Sequence, residues 1–387
     1  MKKLFKILAI VFAFVILVSS FAGCHPKDEV AITVGNYNFS SAYYSCALVL
    51  AESEARVKVD ESLTAAGEKA ENVDYSKQTI DGVKFADYVK NKAIEVMKMN
   101  AAVKTKLAEL NIKLDDDSIY YADYYTNMYW NSYGYGAVLS EYGVSMETYN
   151  QYITDSYYSD KYFTHLYDEG GEKALSEDKL KEILNEKYVL ADCVSEPLTT
   201  TGSDGNSTKL SEDKITELQN KLQGFADELN SGKKSWEEIY KLYNKEEDKN
   251  NTSSTASTTS VESTASSTST TSTVEEEKPV EKAYPYATLF GDADTGENTT
   301  LYETVKGYEI GKATVYKDST TLYLIVKRDV TADPYYTTEY RTSVTYTAEK
   351  DNYEQFVRDF ANTLSFSENK FATGQFKVSD IKYDTEA

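Results

Sequence analysis

The chain has 387 residues, with 41 Lys+Arg against 63 Asp+Glu and a formal net charge of −22. That acidity excludes a sequence-independent grip on nucleic acid, which needs clustered Lys and Arg. Two histidines and three cysteines exclude a multi-histidine metal site, a four-thiolate zinc site and a disulfide framework, while 34 tyrosines stand out.

Lys2, Lys3 and Lys6 precede an apolar run, Ile7 to Val18, that ends at Ser19-Ser20-Phe21-Ala22-Gly23-Cys24. A basic start, a short apolar stretch and small residues describe a secretory signal, and the run falls short of the roughly 20 residues of a membrane span. Phe21-Ala22-Gly23-Cys24 resembles a bacterial lipobox, with Phe21 where Leu is usual. The resemblance implies cleavage before Cys24, diacylation of its thiol and anchoring outside the cell membrane. Loss of the three lysines takes the formal charge from −22 to −25. Cys46 and Cys193 remain. In an oxidising compartment they can pair, but Cys46 also suits a small buried hydrophobe among Tyr43, Tyr44, Ala47, Leu48 and Leu50.

Val30 to Val34 alternates like a strand, Gly35-Asn36 supplies a turn, and Ser40 or Ser41 caps a helix to about Arg56. Residues 57–82 read as a polar loop. Val89, Ala93, Val96, Met97, Val103 and Leu107 recur at helical spacing over 85–110. Asp115 to Asp117 offer a cap for a tyrosine-rich helix over 119–130, broken by Gly134 and Gly136. Helices are predicted at 137–142, 146–168 and 176–186, then a strand over 188–194. Ile215, Leu218, Leu222, Phe225 and Leu229 mark an amphipathic helix over 211–230, with another at 236–243. Residues 251–273 are Ser or Thr at 18 of 23 positions and too polar to repay the entropy of ordering. Strands at 308–316 and 320–328, a helix at 348–363 and a last strand at 374–383 complete the reading.

The order of these pieces resembles the PrsA/SurA-type extracytoplasmic foldases. These combine a helical chaperone lobe with an inserted parvulin-type peptidyl-prolyl isomerase domain. In the lobe the resemblance rests on Ala31-Ile32-Thr33-Val34-Gly35-Asn36-Tyr37 and on the segment Leu139 to Tyr149. That segment reads as a helix ended by a left-handed Gly143, then Ser145 capping the next helix. In the middle domain it rests on Leu229-Asn230-Ser231-Gly232, Trp236 to Asn244, Tyr308 to Ala313 and Thr321 to Val326. The resemblance implies an α+β fold: a mostly helical lobe formed by both chain ends, with a small parvulin-like α/β domain inserted. Its divisions are a signal peptide 1–23, a tether 24–29, the lobe 30–185, the inserted domain 186–330 and a return to the lobe over 331–387. A disordered insert spans 248–280 of the inserted domain, which otherwise implies a four-stranded sheet.

The departures bear on activity. Parvulin isomerases carry two facing histidines. The positions that match here hold Asp192 and Cys193 for the first and Tyr323 for the second, while the chain's histidines are His25 and His165. The glycine-rich loop of the family is echoed only by Phe290-Gly291-Asp292. The expectation is a degenerate isomerase domain with no catalytic residue, no metal and no cofactor.

Thirteen tyrosines lie between Tyr120 and Tyr162. Tyr121, Tyr124, Tyr125 and Met128 fall at steps of three or four, so one helix face is aromatic, and Tyr129 and Trp130 complete the expected client-binding surface. Rings of this kind build helical cores. Their excess predicts a partly exposed surface that binds varied polypeptides. The reading is a lipid-anchored chaperone of unfolded or newly secreted polypeptides, held to the membrane through Cys24 and binding no nucleic acid. The sequence assigns no oligomeric state. Two alternatives stand beside it: an active peptidyl-prolyl isomerase, and a surface lipoprotein that binds glycans or acts as an adhesin.

Overall fold

The computed structural model describes residues 29–67, 73–201, 207–250, 280–292 and 297–381. The signal 1–23, Cys24 and the Ser/Thr-rich stretch 251–273 lie outside the described residues. The chain is α+β and divides into two compact units. Among the described residues, one unit takes 29–174 and 349–381, from both ends of the chain, and the other takes 175–348.

The first unit opens with a hairpin, β1 (Val30–Val34) and β2 (Tyr37–Ser40), turned at Gly35 with φ +56°. Ala31, Ile32 and Val34 are buried. Ser40 then caps α1 (Ser41–Ala65), its Oγ accepting the Tyr43 N–H at 3.2 Å. This helix runs nine residues beyond Arg56, into the stretch expected to be loop, because Val59 reaches the core and Arg56 pairs with Glu52 one turn back at 2.7 Å. A short hairpin, β3 (Thr79–Ile80) and β4 (Val83–Lys84), leads into α2 (Phe85–Glu109). Next come α3 (Asp116–Asn127), a π-helical turn over Met128–Ser132, α4 (Tyr135–Glu141) and α5 (Met146–Tyr167). Gly143 has φ +74° and Ser145 Oγ accepts the Thr148 N–H at 3.2 Å, the glycine stop and serine cap that the spacing predicts.

Three helices of this unit are joined by a buried polar knot. Asp155 of α5 accepts from Tyr43 Oη of α1 at 2.7 Å and from Lys104 Nζ of α2 at 2.9 and 3.0 Å. Asn100 Nδ2 donates to Tyr43 Oη at 2.9 Å. Each buried partner is thereby satisfied, which a charge in an apolar core requires.

The second unit starts with α6 (Glu177–Lys187), capped by Ser176, and passes directly into β5 (Tyr188–Pro197). A small hairpin, β6 (Thr199–Thr201) and β7 (Ser207–Lys209), precedes α7 (Glu212–Asn230) and α8 (Trp236–Asn250). The rest is β8 (Thr288–Gly291), α9 (Glu297–Lys306), β9 (Ala313–Lys317), β10 (Thr321–Arg328) and α10 (Pro334–Thr338). Its four-stranded sheet has the order β8-β5-β10-β9, with every neighbouring pair antiparallel. Residues 308–312, expected as strand, are turn instead, because Gly311 at φ +81° reverses the chain before β9.

Each sheet face is covered. Val194, Leu322, Leu324 and Val326 pack with Ile215 and Leu222 of α7 and Ile239 of α8. Val189, Ala191 and Ile325 pack with Leu301, Tyr302 and Val305 of α9. The Asn230 side chain fastens α7 to β9, donating to Ala313 O at 2.9 Å and accepting from Ala313 N at 2.8 Å.

The helix α11 (Arg341–Ala361) begins seven residues before its expected start, and the first unit resumes within it at Glu349. β11 (Phe366–Glu368) adds to β1, giving the order β11-β1-β2. The strand expected over 374–383 is absent from the described residues, where a 3₁₀ turn at Val378–Asp380 seats Val378 and Ile381 in the core.

Candidate functional site

The aromatic side chains of α3 and the turn after it form a continuous series of ring contacts. Tyr120 and Tyr124 stack at 6.5 Å between centroids, Tyr124 meets Tyr125 edge-on at 5.3 Å, and Tyr125 stacks on Tyr129 at 6.1 Å. Tyr129 contacts Tyr133 at 5.5 Å and Tyr135 at 5.4 Å, and Tyr135 contacts Tyr149 at 5.7 Å. Spacings of this size are those at which aromatic rings attract one another. The series runs from solvent to core. Tyr120 is 63 % exposed and Tyr124 and Tyr133 are each 51 % exposed, whereas Tyr129 is 5 % exposed.

This redistributes the residues expected at the surface. Tyr124 is exposed, and Tyr121, Tyr125, Met128 and Trp130 are half-buried. Tyr129 belongs to the core and supports the surface from beneath. The expectation that it would present itself to solvent is corrected. Helical spacing brings these rings together on α3, but neighbouring helices decide how far along it the cover extends. Tyr120 and Tyr133 are the exposed rings missing from the expected set. Tyr120 lies one turn before Tyr124 and was readable from the i,i+4 spacing. Tyr133 was not. The π turn, with Tyr133 N–H donating to Met128 O at 3.3 Å, carries its ring back beside Tyr129.

The platform is held at both ends. Asp115 caps α3 by accepting the Ser118 N–H at 2.8 Å, and its other oxygen accepts from Lys161 of α5 at 2.7 Å. Burial disfavours the Asp115 carboxylate, but the hydrogen bonds from Lys161 and Ser118 outweigh it and hold its pKa at about 2. Further along, Asn150 of α5 donates to Asp123 at 2.8 Å. Burial pushes the Tyr129 phenol up to about 12 and raises Tyr125 as well, so both rings are neutral at physiological pH. The result is an aromatic shelf on a fixed helix.

Of the positions matched to the isomerase site, Cys193 and Tyr323 share a sheet face and Asp192 lies on the other. Successive residues of a strand point to opposite faces, and Asp192 and Cys193 are successive in β5. Asp192 is buried, with Oδ2 accepting from Arg328 Nε at 2.6 Å and Nη2 at 2.5 Å. Burial raises its pKa against the pull of Arg328. Cys193 and Tyr323 face the other way, into the cluster closed by α9. Burial pushes the Cys193 thiol up to about 12, with Asp192 adding to the effect. Both Cys46 and Cys193 are free thiols. In the glycine-rich echo, Phe290 is buried and Asp292 pairs with Lys187 at 3.0 Å, so both serve packing. His165 is exposed on the last turn of α5.

Among the described residues no group of three or more His, Cys, Asp or Glu side chains is arranged to hold a metal ion. Nor is any described helix long and apolar enough to cross a membrane.

No family model matches the chain, and no curated protein matches it. Among solved structures, the chain is similar to the crystal structure of foldase protein PrsA from Streptococcus pneumoniae. Identity is 14 %, coverage is 74 % of this chain and 92 % of that one, and the TM-score is 0.36. A likeness at that score establishes neither a shared fold nor a shared activity.

Proposed function

We propose that this protein is a lipid-anchored extracytoplasmic chaperone that holds unfolded or newly secreted polypeptides and carries a degenerate, inactive isomerase domain. The observation that carries the reading is the set of exposed rings in the series: Tyr120 and Tyr124, on a helix fixed by Asp115–Lys161 and Asp123–Asn150, and Tyr133, which contacts Tyr129 beyond the π turn. Rigid rings with few rotatable bonds bind apolar and aromatic segments at low entropy cost, and the hydroxyls tolerate varied neighbours. No bond is made or broken. Binding is transient because three exposed rings offer little area compared with a standard protein interface.

The second unit is read as a scaffold. Support comes from the opposed orientations of Asp192 and Cys193, and from the filling of the Cys193 and Tyr323 face by Leu301, Tyr302 and Val305. A proton-transfer or polarising site needs its groups within hydrogen-bond reach of one substrate atom, and Asp192 faces away from Cys193 and Tyr323.

Anchoring rests on Phe21-Ala22-Gly23-Cys24. Two acyl chains bind a bilayer stably where one does not.

The test is the triple substitution Tyr120→Ser, Tyr124→Ser, Tyr133→Ser, with aggregation of a reduced secreted protein followed by light scattering. The wild-type chain suppresses aggregation and the variant does not, while its melting is nearly unchanged because exposed substitutions cost little. Suppression that survives in the variant refutes the surface. Binding on a glycan array without any effect on aggregation favours the glycan alternative.

A further inference from the structure

Phe371 is 72 % exposed, the highest value among the large apolar side chains of the described residues. It sits on the single-turn helix α12 (Lys370–Thr373). Asn369 ties that turn to the start of the described chain. Its N–H donates to Ala31 O at 2.9 Å, and its Nδ2 donates to Glu29 Oε1 at 2.9 Å and to Val30 O at 3.2 Å. The Asn369 Oδ1 accepts from the Phe371 and Ala372 N–H groups at 3.1 and 3.3 Å. Ala372 and Thr373 are buried, which fixes the other side of the turn and leaves Phe371 outward. Val30, beside it through Asn369, is 40 % exposed. Two apolar side chains are thus held in water where the chain emerges from its anchor.

Cys24 precedes Glu29 by five residues. Five residues span at most about 18 Å when fully extended. With acyl chains on Cys24, the Phe371 turn stays within a tether's reach of the headgroups.

We infer that Phe371, with Val30, is a membrane contact: on the anchored protein its ring enters the interfacial layer of the bilayer beside the Cys24 tether. This rests on the anchoring reading above. One ring is a weak membrane ligand alone, but a short tether turns its insertion into an intramolecular step at high effective concentration. An aromatic ring gains on leaving water for the interface. The exposed Lys370 next to it can lay its alkyl stem along that surface and keep its ammonium among the headgroups. The neighbouring carboxylates are engaged, Glu29 by Asn369 and Glu368 by Thr373 Oγ1 at 2.7 Å. A protein partner is disfavoured because two side chains fall far short of a specific interface.

The experiment uses the full chain, processed and acylated in a bacterial host, then reconstituted in phosphatidylcholine vesicles with or without bromine on the acyl chains. Phe371→Trp is compared with Val83→Trp. Val83 is exposed on the β3–β4 hairpin of the same unit, about 20 Å along α2 from Lys98, which covers Phe366. Trp130 and Trp236 are common to both and subtract. The emission added at 371 falls roughly twofold with brominated lipid, because quenching needs contact with the acyl region, while that added at 83 is unchanged. Flotation with the vesicles is measured on the same samples. A chain that floats but shows equal or no quenching at the two positions overturns the contact alone. A chain that fails to float overturns the anchoring and the contact with it.

Discussion

The indole of Trp130 packs directly on Gly136: a methyl group at that position would stand 2.5 Å from Trp130 Nε1 and 2.7 Å from Cε2. The close approach lets the chain double back from the π turn into α4 and places Trp130 within 5.9 Å of the Tyr149 ring. Gly136 serves here through its lack of a Cβ. Gly136→Ala must displace a bulky ring in a packed site, an overpacking cost of about 1–3 kcal/mol. The denaturation midpoint should fall with an unchanged m-value, and near-ultraviolet circular dichroism should change.

Tyr149 behaves in the opposite sense. Its ring is fully buried among Trp130 and Tyr135, and its hydroxyl finds no hydrogen-bond partner among the described residues. Burial raises its pKa well above the usual phenol range. Tyr149→Phe removes an unpaired polar atom and keeps the ring, so stability should rise by roughly 1 kcal/mol. Equilibrium unfolding in urea measures it, and a loss of stability would reveal a partner for the hydroxyl.

Lys104 should be intolerant of neutral replacement. Lys104→Met leaves Asp155 in the core with only the Tyr43 hydroxyl, and breaking a buried pair in this way costs about 3–5 kcal/mol. Adding Asp155→Asn removes the orphaned charge and keeps an acceptor for Tyr43. The double variant should therefore be more stable than Lys104→Met alone, and a double-mutant cycle reads the difference.

Acid sensitivity should be visible at Asp115. Its folded pKa, about 2, lies below the ordinary carboxylate value, so the folded state binds the proton less readily than the unfolded one. The stabilisation is complete above about pH 4 and is lost as pH falls towards 2. Asp115→Asn retains a capping side chain but removes the charge. The stability gap between wild type and this variant should close across that window and be constant above it.

The thiols should be inert. Cys193 is pushed up to about 12, and Cys46 is shifted further in the same direction by burial. In a Cys24→Ser chain, alkylation at pH 7.5 should run roughly a thousandfold slower than for a free cysteine until denaturant is added, because the thiolate is the nucleophile. Fast labelling of the native chain would expose an open site at Cys193. It would also reopen the isomerase alternative, for which a prolyl-peptide assay should show no saturable acceleration.

Local signals carried far in this chain. Ser40, Asp115, Ser145, Ser176 and Ser211 each cap a helix with their own side chain. Such a cap involves atoms two or three residues apart, so it is written in the local sequence. Strand alternation was equally legible at Asp192 and Cys193: a period of two already sends neighbours to opposite faces, whatever the sheet's surroundings. The polar stretch after Arg56 misled because its helix is held by Val59 in the core and by Glu52–Arg56. Those contacts outweigh a weak apolar pattern.

The sequence by itself determined most helix starts and the aromatic face of α3, because each follows from spacing within one or two turns. Tertiary structure alone decided that Tyr129 is core while Tyr120 and Tyr133 meet solvent. It also decided that Phe366 to Glu368 completes the first sheet and that Asn369, which starts the Phe371 turn, is tied to Glu29. Periodicity tells which side chains share a face. Whether that face is covered depends on segments beyond the helix itself, some as near as α4 and α5 and some at the far end of the chain, and their arrival is set by packing the whole unit.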